Sequence, residues 1–320
     1  LEMRIDIHAH LWSEAYLDLL ERFGNTATGI HRGVGAGPGE QDLEERFALM
    51  ASAGVDLQVL SSAPASPHFA DQSNAVQAAR MVNDEYADMV RRFPDRFQAF
   101  ASLPWPHTDA ALAELDRALT DLSMPGAVVT TSVLGRSLAD PTFLPLYAEL
   151  DRRAAVLFVH PAGAGAHSPL IGPTMTWEIG APIEDTVAAT HLIQTGIPSR
   201  FPRLKIIIGH LGGALPMLME RMDRQYGWEA PATPEKPSVT ARRMWYETTG
   251  HNHTPALRAA AETLGADRLV LGTDFSYQAG DAFGEAVTYV QRAGLPDQDV
   301  NAILDTTAAE LLGVTHPAAI

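Results

Sequence analysis

The sequence predicts a single (β/α)8 barrel of the α/β class, spanning residues 1–320. Three observations carry this expectation. Short runs rich in Val, Ile and Leu alternate with longer stretches of helical period, which is the pattern of parallel βα units. Eight such runs can be counted, the number a closed barrel needs. A chain of 320 residues is also a size at which one barrel commonly folds.

The candidate strands cover residues 3–8, 55–61, 97–103, 127–131, 155–160, 204–210, 245–249 and 268–274. In the first, Arg4-Ile5-Asp6-Ile7-His8-Ala9-His10, strict alternation would put Ile5 and Ile7 on one face and His8 and His10 on the other. Helical periodicity marks residues 42–53, 73–93, 109–122, 141–153, 182–195, 214–226, 255–264, 282–292 and 297–312. The second of these carries Val76, Ala79, Met81, Val82, Tyr86, Met89 and Val90 on its apolar face. Pro141, Pro182 and Pro255 stand where a first helical turn accepts proline. Two connections, 24–41 and 161–181, are long for a compact domain, and loops of that length usually serve function. The run Gly33-Val34-Gly35-Ala36-Gly37 lies well after its strand and does not open the next helix, so it reads as a loop and not as a phosphate cradle.

Composition narrows the function. Apolar residues make up 46% and charged residues 19%, enough for a large core, and no apolar run reaches the roughly 20 residues needed to cross a membrane. Leu1-Glu2 ahead of Met3 reads as a cloning scar and not as a targeting segment. The chain has no cysteine, which removes disulfides, thiolate metal sites and cysteine nucleophiles and fits a cytoplasmic protein. Any metal must be held by His, Asp or Glu. The net charge is -16, from 23 basic and 39 acidic residues, and the basic ones are scattered, which argues against nucleic acid as a partner.

In a barrel of parallel strands the chemistry sits at the carboxyl ends of the strands. The first strand ends in His8 and His10, the fifth in His160-Pro161, the sixth in Gly209-His210-Leu211-Gly212-Gly213 and the eighth in Gly272-Thr273-Asp274. Taken singly, each histidine is equally well a core residue with a satisfied hydrogen bond, and Asp274 a turn cap. Taken together, they converge on one mouth and form a divalent-metal site of imidazole and carboxylate donors. Gly212 and Gly213 would let the backbone turn tightly after His210.

These motifs, in this order, resemble the amidohydrolase superfamily, and within it the branch of 2-amino-3-carboxymuconate 6-semialdehyde decarboxylase and gamma-resorcylate decarboxylase. The likeness runs nearly end to end. It includes Gly54-Val55-Asp56-Leu57-Gln58-Val59-Leu60-Ser61, Ala101-Ser102-Leu103-Pro104, Trp177-Glu178-Ile179-Gly180-Ala181-Pro182 and Arg200-Phe201-Pro202-Arg203-Leu204-Lys205-Ile206. The resemblance implies a distorted barrel and metal ligation by His8, His10, His160 and Asp274. It also implies that His210 is the acid–base residue, with Asp274 sharing the catalytic centre, and that the assembly is a homodimer. The metal it implies is one divalent ion, Zn first and Mn as the alternative, without an organic cofactor. Superfamily members with two metals bridge them through a lysine at the end of the fourth strand; here that strand ends in Thr130-Thr131 and the only lysines are Lys205 and Lys236.

One metal favours a decarboxylase acting on an unsaturated or aromatic carboxylic acid. A mononuclear hydrolase of an amide or lactone is the alternative on the same site. Three residues are expected to contact substrate: Arg46, by a guanidinium fork on a carboxylate; Trp177, by stacking on a flat acid; and His253, paired with His251 after the seventh strand. Two departures from the resembling enzymes bear on specificity. Asp274 is followed by Phe275-Ser276-Tyr277 without the usual proline, and the stretch 225–241 contains no arginine, which argues against a dicarboxylic muconate.

Overall fold

A computed structural model describes residues 3–314; the Leu1-Glu2 pair lies outside them. Eight parallel strands are ordered in sequence around a barrel: Ile5–His10, Leu57–Ser61, a third strand in two halves (Phe97–Ala99 and Ala101–Ser102), Gly126–Thr130, Val156–His160, Lys205–Ile208, Trp245–Glu247 and Leu269–Val270. The third strand breaks at Phe100, so that its first half pairs with the second strand and its second half with the fourth. Closure comes from the segment after the eighth strand. Ile7 N–H donates to Leu271 O at 2.9 Å, Asp274 N–H to His8 O at 2.8 Å and His10 N–H to Phe275 O at 2.8 Å. The eighth strand itself is shorter than its apolar run predicts, because from Leu271 onward the chain leaves regular pairing to turn Asp274 toward the mouth.

The first strand departs from simple alternation. Its pairing with the second strand runs Ile5↔Leu57 and Asp6↔Gln58, then shifts by one residue before Ala9↔Leu60 and His10↔Ser61. This bulge changes the phase of the strand. Ile5 and Ile7 pack in the barrel interior with Val59, Phe100, Val128, Phe158 and Ile207. His8 faces inward as well, its ring 5.3 Å from that of Phe158, whereas Ala9 packs in the outer layer. The expectation that the isoleucines face away from the histidines is therefore corrected: the extra residue brings both pairs to the inside. Asp6 makes the bulge tenable. Its buried carboxylate accepts from His8 N–H, from Gln58 Nε2 and from both the N–H and hydroxyl of Thr273.

The helices follow the predicted order, with Glu40–Ala53, Gln72–Arg92, Thr108–Thr120, Leu144–Arg152, Ala181–Thr195, Leu215–Glu229, Thr254–Leu264 and Asp281–Gln291 packed outside the strands. The helix Glu14–Arg22, capped by Ser13 Oγ on Tyr16 N–H, lies between the first strand and the glycine-rich loop, where the sequence pattern marks none; the short helices Ile197–Arg200 and Pro237–Ala241 also fall outside the expected stretches. At the chain end, Ala308 and Leu311 pack with Ile5, Val156 and Val270, closing the barrel floor. No described helix is long and apolar enough to cross a membrane.

Candidate metal centre

The strand ends deliver four donors to one point. His8, His10, His160 and Asp274 each offer one ligand atom, all within 4.8 Å of one another. Asp274 Oδ1 stands 3.2 Å from the Nε2 of both His8 and His10, and those two nitrogens are 3.2 Å apart. Metal–nitrogen bonds of about 2.0–2.1 Å in tetrahedral array give donor separations of about 3.3 Å, which the spacing of His8, His10 and Asp274 matches.

The remaining nitrogens are committed outward. His8 Nδ1 faces Glu247 Oε1 at 3.1 Å, His10 Nδ1 faces Ser61 O at 3.3 Å and His160 Nδ1 faces Pro161 O at 2.8 Å. Each ring thus has a fixed orientation that leaves Nε2 for the centre, the usual outer support of metal-bound imidazole. Electrostatics point the same way. Burial lowers the His8 pKa, yet Asp274 and Glu247 together raise it well above the ordinary imidazole value, while burial pushes His10 and His160 down. Burial would raise Asp274, but the His8 and His10 rings hold it well below the ordinary carboxylate range.

His210 stands beside this group, its ring 5.4 Å from that of His8. It sits in the left-handed region at φ 50°, with Leu211 at φ 57° and Gly212 and Gly213 also positive. A Cβ on Gly213 would fall 2.0 Å from Pro182 O, so only glycine lets this turn lie against the Ala181–Thr195 helix. His210 Nδ1 meets Asp185 Oδ2 at 2.8 Å, and its backbone N–H donates to Glu247. Burial lowers the His210 pKa, but Asp185 and Glu247 outweigh it and the net direction is upward. Asp185 is itself pushed up by burial to about 6, and Glu247, despite burial, is drawn down by His8 and His210 to about 2.

Asp185 and Glu247 are the residues sequence reasoning missed. Glu247 left a signal, a carboxylate inside the apolar strand Trp245–Glu247; Asp185 on a helical face left none. Space for Glu247 is made by Gly272, where a Cβ would lie 1.9 Å from Glu247 Oε2.

A cavity of about 670 Å3 opens from the centre. His160, His210 and Asp274 line it, together with Trp177, His251, His253 and Tyr277. Trp177 and His253 thus stand in the cavity wall. Arg46 does not, and its expected contact with a carboxylate is corrected. It is 1% exposed in the layer between the Glu40–Ala53 helix and the barrel, where Nε donates to Gln58 Oε1 at 2.6 Å and Nη1 to His10 O at 2.8 Å. Its guanidinium lies over Phe275 and Phe97, 4.5 and 5.0 Å from their ring centres. Burial lowers its pKa to about 9. It supports the strand that carries His10 and does not reach the mouth.

Comparison with known proteins places these features in context. The family model described as amidohydrolase matches residues 5–314. A gamma-resorcylate decarboxylase of Rhizobium radiobacter is 32% identical over 260 residues, covering 73% of this chain and 77% of the relative. A 2-amino-3-carboxymuconate-6-semialdehyde decarboxylase of Dictyostelium discoideum is 26% identical over 301 residues, covering 87% and 83%. A solved dihydroxybenzoic acid decarboxylase from a Polaromonas species, with bound manganese and the inhibitor 2-nitroresorcinol, superposes with a TM-score of 0.81 at 26% identity, covering 98% of this chain and 97% of that one.

Proposed function

The chain belongs to the amidohydrolase family, and from that premise we propose that it is a metal-dependent decarboxylase of an aromatic carboxylic acid, working without an organic cofactor. The observation that carries the reading is the four-donor cluster at the cavity floor with His210 beside it. His8, His10, His160 and Asp274 would hold one divalent ion; three imidazoles and one carboxylate suit zinc, while the Polaromonas enzyme carries manganese. When bound, the ion supplies a Lewis acid that polarises substrate oxygens and neutralises developing negative charge.

The chain's own residues handle the proton. In the overall reaction the bond between ring carbon and carboxylate breaks, carbon dioxide leaves, and the ring carbon gains one proton. His210 Nδ1–H donates to Asp185, so Nε2 is the nitrogen that carries the exchangeable proton toward the cavity. Asp274, which lines the same cavity, is the second group able to pass a proton there. Trp177 offers a flat ring for stacking, and His253 a polar contact in the same cavity wall.

The test is to offer the metal-loaded protein hydroxybenzoic acids, lactones and amides in parallel. Carbon dioxide with an equimolar phenol is the expected result. Hydrolysis of a lactone or amide without carbon dioxide release would overturn it.

A further inference from the structure

The walls of the cavity are more selective than its floor. Among the described residues that line it there is no arginine or lysine, and the only charged carboxylates are Glu178 and Asp274. Arg46 is sealed behind the first strand, where its guanidinium donates to His10 O. A second carboxylate on the substrate would be desolvated along these walls without an arginine or lysine to pair it.

What the cavity offers instead is apolar surface. Pro216 and Met217 come from the start of the Leu215–Glu229 helix, and Pro255, Ala256 and Ala259 from the Thr254–Leu264 helix. Ala256 and Ala259 are three residues apart and share one helix face, so two small side chains leave a hollow where larger ones would fill it. Met217, 85% exposed, forms the open rim. The volume of about 670 Å3 lies within the roughly 300–1,000 Å3 of pockets that enclose drug-sized molecules, well beyond one substituted ring.

We propose that the substrate is an aromatic monocarboxylic acid whose ring bears an extended apolar substituent, and that Ala256 and Ala259 set the length the site accepts. This rests on the decarboxylase reading for the reaction, but the apolar subsite is read from the wall alone. The acid group goes to the floor, at His160, His210 and Asp274, and the substituent runs along the two helix starts toward Met217.

The experiment uses the metal-loaded full chain and a series of hydroxybenzoates with alkyl substituents from methyl to heptyl. Carbon dioxide release gives kcat/KM. Calorimetry with the matching alkylphenols, which carry no carboxylate, gives binding that does not depend on turnover. Both are expected to improve by about fourfold per methylene until the hollow is filled, as for a buried CH2 group. Ala259→Phe and, separately, Ala256→Leu are expected to move the optimum to shorter chains, lowering kcat/KM for the heptyl acid at least about tenfold more than for the methyl acid. Carbon dioxide release with no gain from chain length, or a preference for a dicarboxylic acid, would overturn the proposal and leave the decarboxylase reading standing. Binding that tightens with chain length while no acid releases carbon dioxide would support the apolar subsite and overturn the reaction.

Discussion

His210 turns its Nδ1 onto the Asp185 carboxylate at 2.8 Å, across the contact between the sixth strand's terminal turn and the Ala181–Thr195 helix. The hydrogen bond fixes the tautomer. With Nδ1 protonated and committed, Nε2 is the atom left for proton exchange. Replacing Asp185 by Asn keeps the shape and removes the charge that favours imidazolium. We expect kcat for carbon dioxide release to fall roughly 10²-fold, with metal content unchanged by elemental analysis. Turnover at the parental rate would remove Asp185 from the proton path.

Glu247 accepts from His8 Nδ1 at 3.1 Å and from Thr249 N–H at 2.7 Å, and it also holds the His210 backbone. It therefore orients one ligand and the acid–base residue at once. Glu247→Gln is expected to weaken metal affinity by roughly 10–100-fold, the usual effect of losing an outer partner of a ligating histidine. Competition with a chelator of known affinity measures it.

Arg46 is expected to behave as a structural residue. Arg46→Ala removes two buried hydrogen bonds and the packing between Phe97 and Phe275, and should destabilise the fold by at least about 3 kcal/mol. Denaturant unfolding reads this. In whatever fraction stays folded, KM should change equally for acidic substrates and for neutral ligands, and a selective rise for acids would restore a substrate contact.

His31 gives a pH dependence. It is buried against Trp12, the two rings tilted by 36° with centres 4.4 Å apart, and bonded to the Tyr277 hydroxyl. Burial lowers its pKa from 6.5 to about 4. Between those values the unfolded chain binds a proton that the folded chain does not, so stability from this residue is present above pH 6.5 and is lost as pH falls toward 4. His31→Gln should be less stable than the parent at pH 7.5, yet lose less Tm between pH 6.5 and 4.5, followed by circular dichroism.

The sequence made the barrel legible because alternation of βα units is a property of local pattern, and the metal donors legible because each lies at or just past the carboxyl end of an apolar run. What stayed hidden depended on distance in the chain. The bulge between Asp6 and Ala9 appears only when the first strand is laid against the second. Arg46 has the charge of a substrate contact, and only packing shows that Gln58 and His10 already occupy it. Asp185 comes to His210 across a helix–turn contact that no spacing encodes. The Glu14–Arg22 helix is hard to read because it is short and follows the histidine strand directly.

The most direct test of the account is metal content by elemental analysis of the purified chain beside its Asp274→Ala variant, each checked for fold by circular dichroism and for carbon dioxide release from a hydroxybenzoic acid. The account predicts about one divalent ion per parental chain, with metal and turnover both lost in a variant that stays folded. A variant that keeps its metal and its turnover would contradict it.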